Sequence, residues 1–466
     1  MKKIVLFLLT LVVAVGLFAC NNDNTSTTAD EGDVLVIRAW NTEFQDRFRA
    51  FYPSYVKTLE NGNDLLIDGT EVKWIIVAND NNGYQTALDQ ALLNQSSAAD
   101  DDKVDIFLIE ADYARKYTDV TGDPVALDLV DDLGIPEELL ADQYQYTKDI
   151  VTDSEGNLRA TSWQATPGLF AYRRSIAEDV LGSDDPATVQ NAISDWTKFD
   201  SVASQMKADG YYMLSGYDDA YRTFSNNFSG KWVNGTQVRI DDQVTNWIKQ
   251  TKIYSNNGYN NGNSLWSEGW AADQGPDGNV FGFFYSTWGI NFTLLGNSLA
   301  DPNAAQEVGN GIYGDWGVVQ GPASYYWGGT WIVGAVGTDN KTLVRDIMVT
   351  LTMNSSIAKD ITLTTQDYTN NKSAMDYIAN DPSYGSAFLG GQNHIALFNS
   401  AADNIDMSNT SPYDQGLNES IQTAFADYFT GEVTWAQAWA NFENAVSTLY
   451  PELTFPASYP AEPTYN

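Results

Sequence analysis

Hydrophobic positions in the first third of the chain follow two alternating patterns. Short runs of consecutive apolar residues indicate strands, and longer runs with an apolar residue every three or four positions indicate helices. The apolar runs are VLVIRAW (34–40), EVKWIIVAND (71–80) and VDIFLIE (104–110). Helical spacing follows the first run, in EFQDRFRAFYPSYVKTL (43–59), at Phe44, Phe48, Phe51 and Tyr55. This alternation predicts a mostly parallel, doubly wound α/β sheet.

Polar and aromatic residues stand where the three predicted strands end. Ligands of a doubly wound sheet bind outside the carboxyl ends of its strands. This rule selects Trp40, Asn41, Asn79, Asp80, Glu110, Asp112 and Tyr113. Two alternatives remain open, namely ordinary burial of Trp40 and a helix-capping role for Asp112.

The rest of the chain predicts a second α/β unit and its connections. At 466 residues the chain is too long for one compact domain. A break at Pro167-Gly168 predicts a crossover between two lobes. Helical segments follow to about Ile253, and a loop-like stretch begins at Ser255. Residues 317–336 then indicate a strand, a turn-rich loop and a second strand.

The N-terminus has the layout of a secretion signal. Lys2 and Lys3 precede a long apolar run that ends at Cys20, and a polar tract follows. The alternative is an uncleaved membrane anchor, because the run is close to the length that spans a bilayer.

Charge and composition exclude several classes of function. The chain has 25 basic and 61 acidic residues, a formal charge of −36, which repels nucleic acid. One cysteine and one histidine, His394, rule out internal disulfides, cysteine zinc sites and the usual Ser-His or multi-His centres. We therefore expect no catalytic residue, metal or cofactor, and a structural role for His394.

Several segments, taken in order, resemble one family. They are the lipobox-like end of the apolar run at Cys20, VLVIRAWNTEF, KVDIFLIEADYARKYTDV, GNLRATSWQATPGLFAYRRSIAEDVLG, GNVFGFFYSTWG, GDWGVVQGP with WGGTWIVGAV, and FTGEVTWAQAWANFENAV. In this order they resemble the bacterial extracellular solute-binding proteins of family 1, the maltose and multiple-sugar type, which are capture subunits of ABC importers. Residues 200–263 match no fixed pattern of that family.

The resemblance implies a processed, lipid-anchored protein with two lobes. Residues 1–19 would be a signal peptide, and residues 20–33 a lipidated Cys20 with its linker. The N-terminal lobe would comprise 34–166 and 318–355, and the C-terminal lobe 167–317 and 356–466. Each lobe would hold a doubly wound sheet with flanking helices, and a hinge would let the lobes close over a ligand.

The sequence also carries the chemistry of sugar recognition. A sugar ring has a face of C–H groups and an edge of hydroxyl groups, so it binds flat aromatic surfaces and planar polar side chains. In YYWGGTW (325–331), Gly328 and Gly329 lack side chains, so a ligand could approach the backbone between Trp327 and Trp331. The alternative is a tight Gly-Gly turn with both tryptophans in the core.

The family resemblance supports Asp112 and adds three further candidate ligand-binding residues. Asp112 matches by position the acidic residue that binds sugar hydroxyls, and a carboxylate accepts such hydrogens with charge-assisted strength. Trp288 matches a position that often carries a stacking aromatic residue. Trp163 precedes the first crossover, and Asp218 aligns loosely with polar contacts of the second lobe. A solvated loop is the alternative for Asp218.

Together these features predict a binding protein without enzymatic activity. We expect a monomer outside the cytoplasm, anchored to the cell membrane by lipid, that captures a neutral oligosaccharide and delivers it to an ABC permease. Two alternatives remain, a secreted glycoside hydrolase and a glycan-binding surface adhesin. Abundant acidic residues permit the hydrolase, but no pair of carboxylates stands at an interpretable spacing.

Overall fold

A computed structural model of the protein describes residues 31–120 and 122–465. The expected signal peptide, Cys20 and the linker up to residue 30 lie outside these residues. No helix in the described ranges is both long and apolar enough to cross a membrane.

Twelve strands are found in the described residues, in one large sheet, one small sheet and a hairpin. The strands are β1 (Val34–Ala39), β2 (Tyr55–Thr58), β3 (Asp64–Leu66), β4 (Glu71–Ile76), β5 (Ile106–Glu110), β6 (Thr161–Ser162), β7 (Gly168–Arg173), β8 (Val233–Asn234), β9 (Gln237–Val238), β10 (Gly282–Ser286), β11 (Trp316–Val319) and β12 (Thr330–Gly334).

Helices surround both sheets. They are α1 (Glu43–Phe51), α2 (Gly83–Leu93), α3 (Ala114–Thr118), α4 (Glu137–Leu140), α5 (Gln145–Asp149), α6 (Arg174–Leu181), α7 (Pro186–Ala192), α8 (Trp196–Ala208), α9 (Tyr221–Ser225), α10 (Asp242–Asn257), α11 (Glu268–Asp273), α12 (Thr287–Gly289), α13 (Leu295–Ser298), α14 (Lys341–Met353), α15 (Ser355–Thr365), α16 (Lys372–Ala379), α17 (His394–Ala402), α18 (Asp414–Thr430) and α19 (Trp435–Leu449).

The first sheet has seven strands in the order β2-β3-β4-β1-β5-β12-β6. β1 pairs in parallel with β4 and with β5, and β12 is antiparallel to β5. Residues 106–109 of β5 are fully buried, as expected for a strand covered on both faces. The predicted parallel arrangement is confirmed for β4, β1 and β5, whose carboxyl ends carry the candidate residues, while the flanking strands are antiparallel.

The predicted first helix is longer than the observed one. α1 ends at Phe51, and Tyr55 lies in β2 instead of on the helix. The cause is Pro53, which cannot continue a helix and which keeps Tyr52 in an extended conformation (φ −80°, ψ 115°).

The second sheet differs from the doubly wound sheet that we expected in each lobe. Its three strands have the order β10-β7-β11, and β7 is antiparallel to both neighbours. β10 and β11 run in the same direction and are connected through α12 and α13, with β7 inserted between them. Isolated parallel bridges, Tyr212 to Val280 and Leu214 to Asn260, extend the pairing.

The chain passes between the sheets at two places where strands of different sheets follow one another. β6 belongs to the first sheet and β7 to the second, so residues 163–167 form one passage. Residues 320–329 form the other, since Val318 and Val319 still pair with β7. The second passage therefore begins after Val319, slightly later than predicted. The division of the whole chain into lobes stays a prediction.

The two faces of the first sheet are buried by different partners. One face packs against α1 and α14, where Phe44 stacks on Trp163 at 5.2 Å between ring centroids. The other face, with Phe107 and Ile109, belongs to a core that continues into the second sheet. The lobes are therefore in contact, and the candidate site lies in the space that remains between them.

Candidate ligand-binding site

A cavity of about 380 Å³ lies between the two lobes. The first lobe contributes residues that follow β5, including Asp112, and the second lobe contributes α9, α18 and two loops. Lining residues with polar side chains include Asp112, Arg115, Asp218, Asp219, Arg222, Asn226, Gln415, Asn418 and Glu419. Both lobes thus offer hydrogen-bonding groups to the same enclosed space.

Three indole rings, of Trp266, Trp288 and Trp327, form an aromatic wall on the second-lobe side. Trp288 stacks on Trp266 with centroids 6.1 Å apart and meets Trp327 edge-on at 5.1 Å. Trp266 and Trp327 line the cavity. Trp327 is only 7% exposed, whereas Trp266 is 56% exposed. The aromatic wall therefore runs from the enclosed cavity out to solvent.

The two adjacent glycines make room for this wall. Both have positive φ, 75° for Gly328 and 98° for Gly329. A Cβ on Gly328 would lie 2.7 Å from Nε1 of Trp288, whose N–H donates to the carbonyl of Trp327 at 2.8 Å. A Cβ on Gly329 would lie 3.1 Å from the Trp331 ring. We expected a ligand to approach the backbone at these glycines. That prediction is wrong, because the rings of Trp288 and Trp331 already fill the space beside them.

A bidentate ion pair crosses the cavity. Nη1 and Nη2 of Arg222, on α9, donate to the two carboxylate oxygens of Asp112 at 2.8 and 2.6 Å. The Asp112 side chain is 32% exposed and the Arg222 side chain 26% exposed. The guanidinium also lies over the Trp327 ring, 5.2 Å from its centroid. One residue from each lobe thus forms a single planar polar group beside the aromatic wall.

Glu110 places a second carboxyl group beside that of Asp112. Its Oε2 accepts the Asp112 N–H at 2.7 Å, which caps the turn after β5. Burial and the charge of Asp112 raise the pKa of Glu110 to about 8. Burial also disfavours the charged form of Asp112, but Arg222 outweighs it and lowers the pKa of that carboxyl. At neutral pH the Asp112 and Arg222 charges cancel, and Glu110 is mostly protonated.

Asp218 and Asp219 hold the loops that carry the aromatic wall. Both carboxylate oxygens of Asp218 accept the Leu265 N–H at 3.0 Å, directly before Trp266. Asp219 accepts two backbone N–H groups, those of Ser215 and Gly216, at 2.8 Å. Asp219 also accepts the indole N–H of Trp270 at 3.1 Å. These two aspartates line the cavity, but their oxygens accept hydrogen bonds from the protein backbone and from Trp270.

Known structures resemble this architecture, although no family model matches the sequence and no curated protein is similar to it. An extracellular solute-binding protein of family 1 superposes with a TM-score of 0.65 at 16% identity, over 89% of this chain and 99% of the other. The chain has the fold of the extracellular solute-binding proteins.

Two further structures with this solute-binding-protein fold were determined with sugars. The galacto-N-biose-/lacto-N-biose I-binding protein of an ABC transporter from Bifidobacterium longum, in complex with lacto-N-biose, gives a TM-score of 0.64 at 13% identity, over 92% of this chain and 100% of the other. An ABC-transporter-associated binding protein from B. animalis subsp. lactis, in complex with β-1,6-galactobiose, gives a TM-score of 0.62 at 18% identity. The match covers 91% of this chain and 99% of the other.

Within the solute-binding-protein fold, two predicted tryptophans lie in the core. Trp163 and Trp331 are each 1% exposed. The indole N–H of Trp331 donates to the Thr147 carbonyl at 2.9 Å, and Trp163 stacks on Phe44. Trp331 is on β12, an interior strand that is covered on both faces. These positions correct the expectation that Trp331 walls the cleft and that Trp163 binds the ligand.

Other predicted residues lie near the strand ends but outside the cavity lining. Trp40 is half-buried and packs edge-on against Tyr84 and Tyr113. The Asn41 side chain accepts the Glu43 N–H at 3.0 Å. Asp80 is exposed and begins a short turn, and Tyr113 is buried at 5% exposure. Of the predicted set, Asp112, Asp218 and Trp327 line the cavity, and Trp288 packs directly behind it.

Arg222 and Trp266 are the two main residues that the sequence analysis missed. Trp266 stands in an Asn- and Gly-rich loop, which is the same context that singled out Trp327, so this signal was present. Arg222 gave no such signal. Its partner Asp112 is 110 positions away, and only the packing of α9 against the first lobe brings them together.

Proposed function

We propose that the protein captures a carbohydrate between its two lobes for import by an ABC permease. The supporting observation is the cavity itself, which combines the aromatic wall with the Asp112–Arg222 pair. An indole face fits the C–H face of a sugar ring, and a carboxylate next to a guanidinium accepts from and donates to its hydroxyl groups. A similar ion pair, Arg173–Asp315, lies beside Trp316, but that ring is fully buried and offers no face to a sugar.

A neutral oligosaccharide fits this site better than a single sugar. Aromatic surface continues from Trp327 in the cavity to Trp266 at its edge and to Phe292, which is 74% exposed and meets Trp288 at 6.2 Å. A ligand with several rings could therefore extend along the aromatic wall. The acidic residues around the cavity disfavour an acidic glycan.

Ligand capture would act through lobe closure. A glycan that contacts Asp112 on one lobe and Trp266 on the other stabilises the closed form and shifts an open–closed equilibrium toward it. The closed form would then dock on the permease. Binding of this kind requires no cofactor and leaves the ligand chemically unchanged.

Thermal unfolding with a glycan panel tests the proposal. Suitable probes are β-1,6-galactobiose, lacto-N-biose, maltose and maltotriose, each with its constituent monosaccharides as controls. A glycan whose free concentration is 100 times its Kd adds about 2.7 kcal/mol to the free energy of unfolding. We expect a higher Tm with at least one oligosaccharide and its recovery intact by mass spectrometry. Shortened products would instead support the hydrolase.

The proposed location is outside the cytoplasm, with the chain anchored through lipid on Cys20. Several acyl chains on one cysteine hold a protein firmly to a membrane. Expression in a bacterium with lipoprotein processing should place the wild type in the detergent phase of a Triton X-114 partition. Cys20→Ser should move the protein to the aqueous phase, and equal partition of both proteins would remove the anchor from the proposal.

A further inference from the structure

We infer that Asp112 and Arg222 act as one charge-neutral recognition unit that selects uncharged glycans over glycans with carboxylate groups. This inference rests on the proposed function. It assigns to Arg222 a ligand contact and a specificity role that no sequence pattern indicated.

The geometry leaves both partners with free hydrogen-bonding capacity. A guanidinium has five N–H donors, and the pair uses two of them. Each Asp112 oxygen accepts one hydrogen from Arg222 and keeps a further lone pair. Because about a third of the Asp112 side chain and a quarter of the Arg222 side chain are exposed, this capacity faces the cavity. Trp327, beneath the guanidinium, fixes its plane.

Most other charged side chains of the cavity are committed to the protein, while Glu419 accepts only the Gln415 amide at 3.0 Å and keeps one carboxylate oxygen for other contacts. Arg115 donates to Thr410, to Asp119 and to the Asp149 carbonyl, and its side chain is only 9% exposed. The carboxylates of Asp218 and Asp219 hold backbone N–H groups, as described above. Asp414 accepts from the backbone and hydroxyl of Ser411. Asp112 and Arg222 are therefore the ion pair of the cavity lining that keeps donors and acceptors together for a ligand.

Charge neutrality decides which ligands this pair accepts. A sugar hydroxyl can donate to Asp112 and accept from Arg222 without adding charge to the enclosed space. A ligand carboxylate at Arg222 would lie beside the Asp112 carboxylate, whose repulsion cancels the attraction of the guanidinium. The Arg222 charge therefore does not make this a site for acidic glycans as long as Asp112 is ionised.

The test compares neutral and anionic probes on four proteins. Isothermal titration calorimetry would use β-1,6-galactobiose and maltotriose as neutral probes, and digalacturonate and trigalacturonate as anionic probes. The variants are Asp112→Asn, Arg222→Gln and the double variant. Asp102→Asn is the matched control, because it removes the same charge from an exposed pair with Lys73 on the first lobe, away from the cavity.

We expect each single variant to lose about tenfold or more in affinity for the neutral glycan that the wild type binds. Asp112→Asn alone should gain affinity for the galacturonates, because Arg222 then loses the carboxylate that is hydrogen-bonded to it. The double variant should lose affinity for the neutral glycan and should not gain affinity for the galacturonates. Asp102→Asn should match the wild type.

Circular dichroism and thermal unfolding establish that each variant is folded. If Asp112→Asn does not fold, the inference is tested by the double variant and by Arg222→Gln, which should both lose affinity for the neutral glycan. Wild-type binding of galacturonates as tight as that of neutral glycans would overturn the inference, as would unchanged neutral affinity in Arg222→Gln. Both results leave the proposed function standing, whereas a wild type that binds no glycan ends the proposed function itself.

Discussion

Trp266 holds a large ring at the edge of the cavity in a backbone conformation that tryptophan rarely adopts. Its φ is +66°, in the left-handed region that favours glycine. More than half of the ring is exposed, so burial in the core does not explain why a tryptophan stands there. Asp218 fixes the preceding N–H and so helps to hold this conformation. An exposed ring held in a strained loop is typical of a binding residue.

Replacing Trp266 should affect binding far more than stability. For Trp266→Ala we expect a loss of about 1–3 kcal/mol in glycan binding, the range for a ring that stacks on an aromatic side chain. Calorimetry with the best oligosaccharide from the panel would measure it. Tyr377→Ala is the matched control, since Tyr377 is 62% exposed on α16 and does not line the cavity. Equal affinity of the two variants would argue against a stacking role for Trp266.

At the scale of secondary-structure elements, β7 begins directly after the first passage between the lobes and depends on one close contact. Gly168 begins β7, and a Cβ at this position would lie 2.1 Å from the Tyr325 ring. The Tyr325 hydroxyl group lies 2.8 Å from the carbonyl oxygens of both Leu169 and Tyr285, which share its one hydrogen. The ring thereby ties β7 to β10 just after the passage from the first lobe. Only glycine leaves room for it.

Gly168→Ala should therefore lower the free energy of unfolding by about 1–3 kcal/mol, the usual cost of forcing an extra group into a packed core. Urea unfolding followed by tryptophan fluorescence would measure the change. Gly296→Ala is the control, because nothing lies within 4 Å of its Cβ and alanine favours the helix there. Equal stability of both variants would show that β7 tolerates the displacement of Tyr325.

At the scale of the whole molecule, buried acids make stability depend on pH. Burial raises the pKa of Glu43 to about 7 and that of Asp105 to about 6. It also raises the pKa of Asp219 to about 8 and that of Asp414 to about 6. In an unfolded chain such carboxyls titrate near 4. Between about pH 4 and pH 8 the folded state therefore binds more protons than the unfolded state, so stability falls as pH rises.

We expect the Tm to be higher at pH 5.5 than at pH 8.5 by at least about 2 °C at constant ionic strength. Calorimetry would measure it, and Asp219→Asn should flatten the profile because it removes a titrating buried acid. Below pH 4 the trend reverses, since Asp153 and Asp241 have lowered pKa values and lose their hydrogen-bonded charged forms. A Tm that rises from pH 5.5 to pH 8.5 would contradict this account.

The sequence by itself determined the local elements and the kind of chemistry available. Apolar spacing predicted β1, β4, β5 and their parallel pairing, because burial on both faces leaves a direct pattern along the chain. The carboxyl end of β5 placed Asp112 at the edge of the sheet where the cavity lies. The abundance of tryptophan indicated a surface suited to sugar rings before any contact between those rings was visible.

Only the tertiary structure decided which of these residues meet. The spacing of YYWGGTW does not reveal that Trp288 fills the space at Gly328, or that Trp331 turns into the core. The pairing of Asp112 with Arg222 and the assembly of Trp266 beside Trp327 depend on how two separately wound lobes pack against each other. Contacts between residues that are far apart in the chain depend on the shapes of the packed lobes. A local sequence pattern therefore cannot predict them.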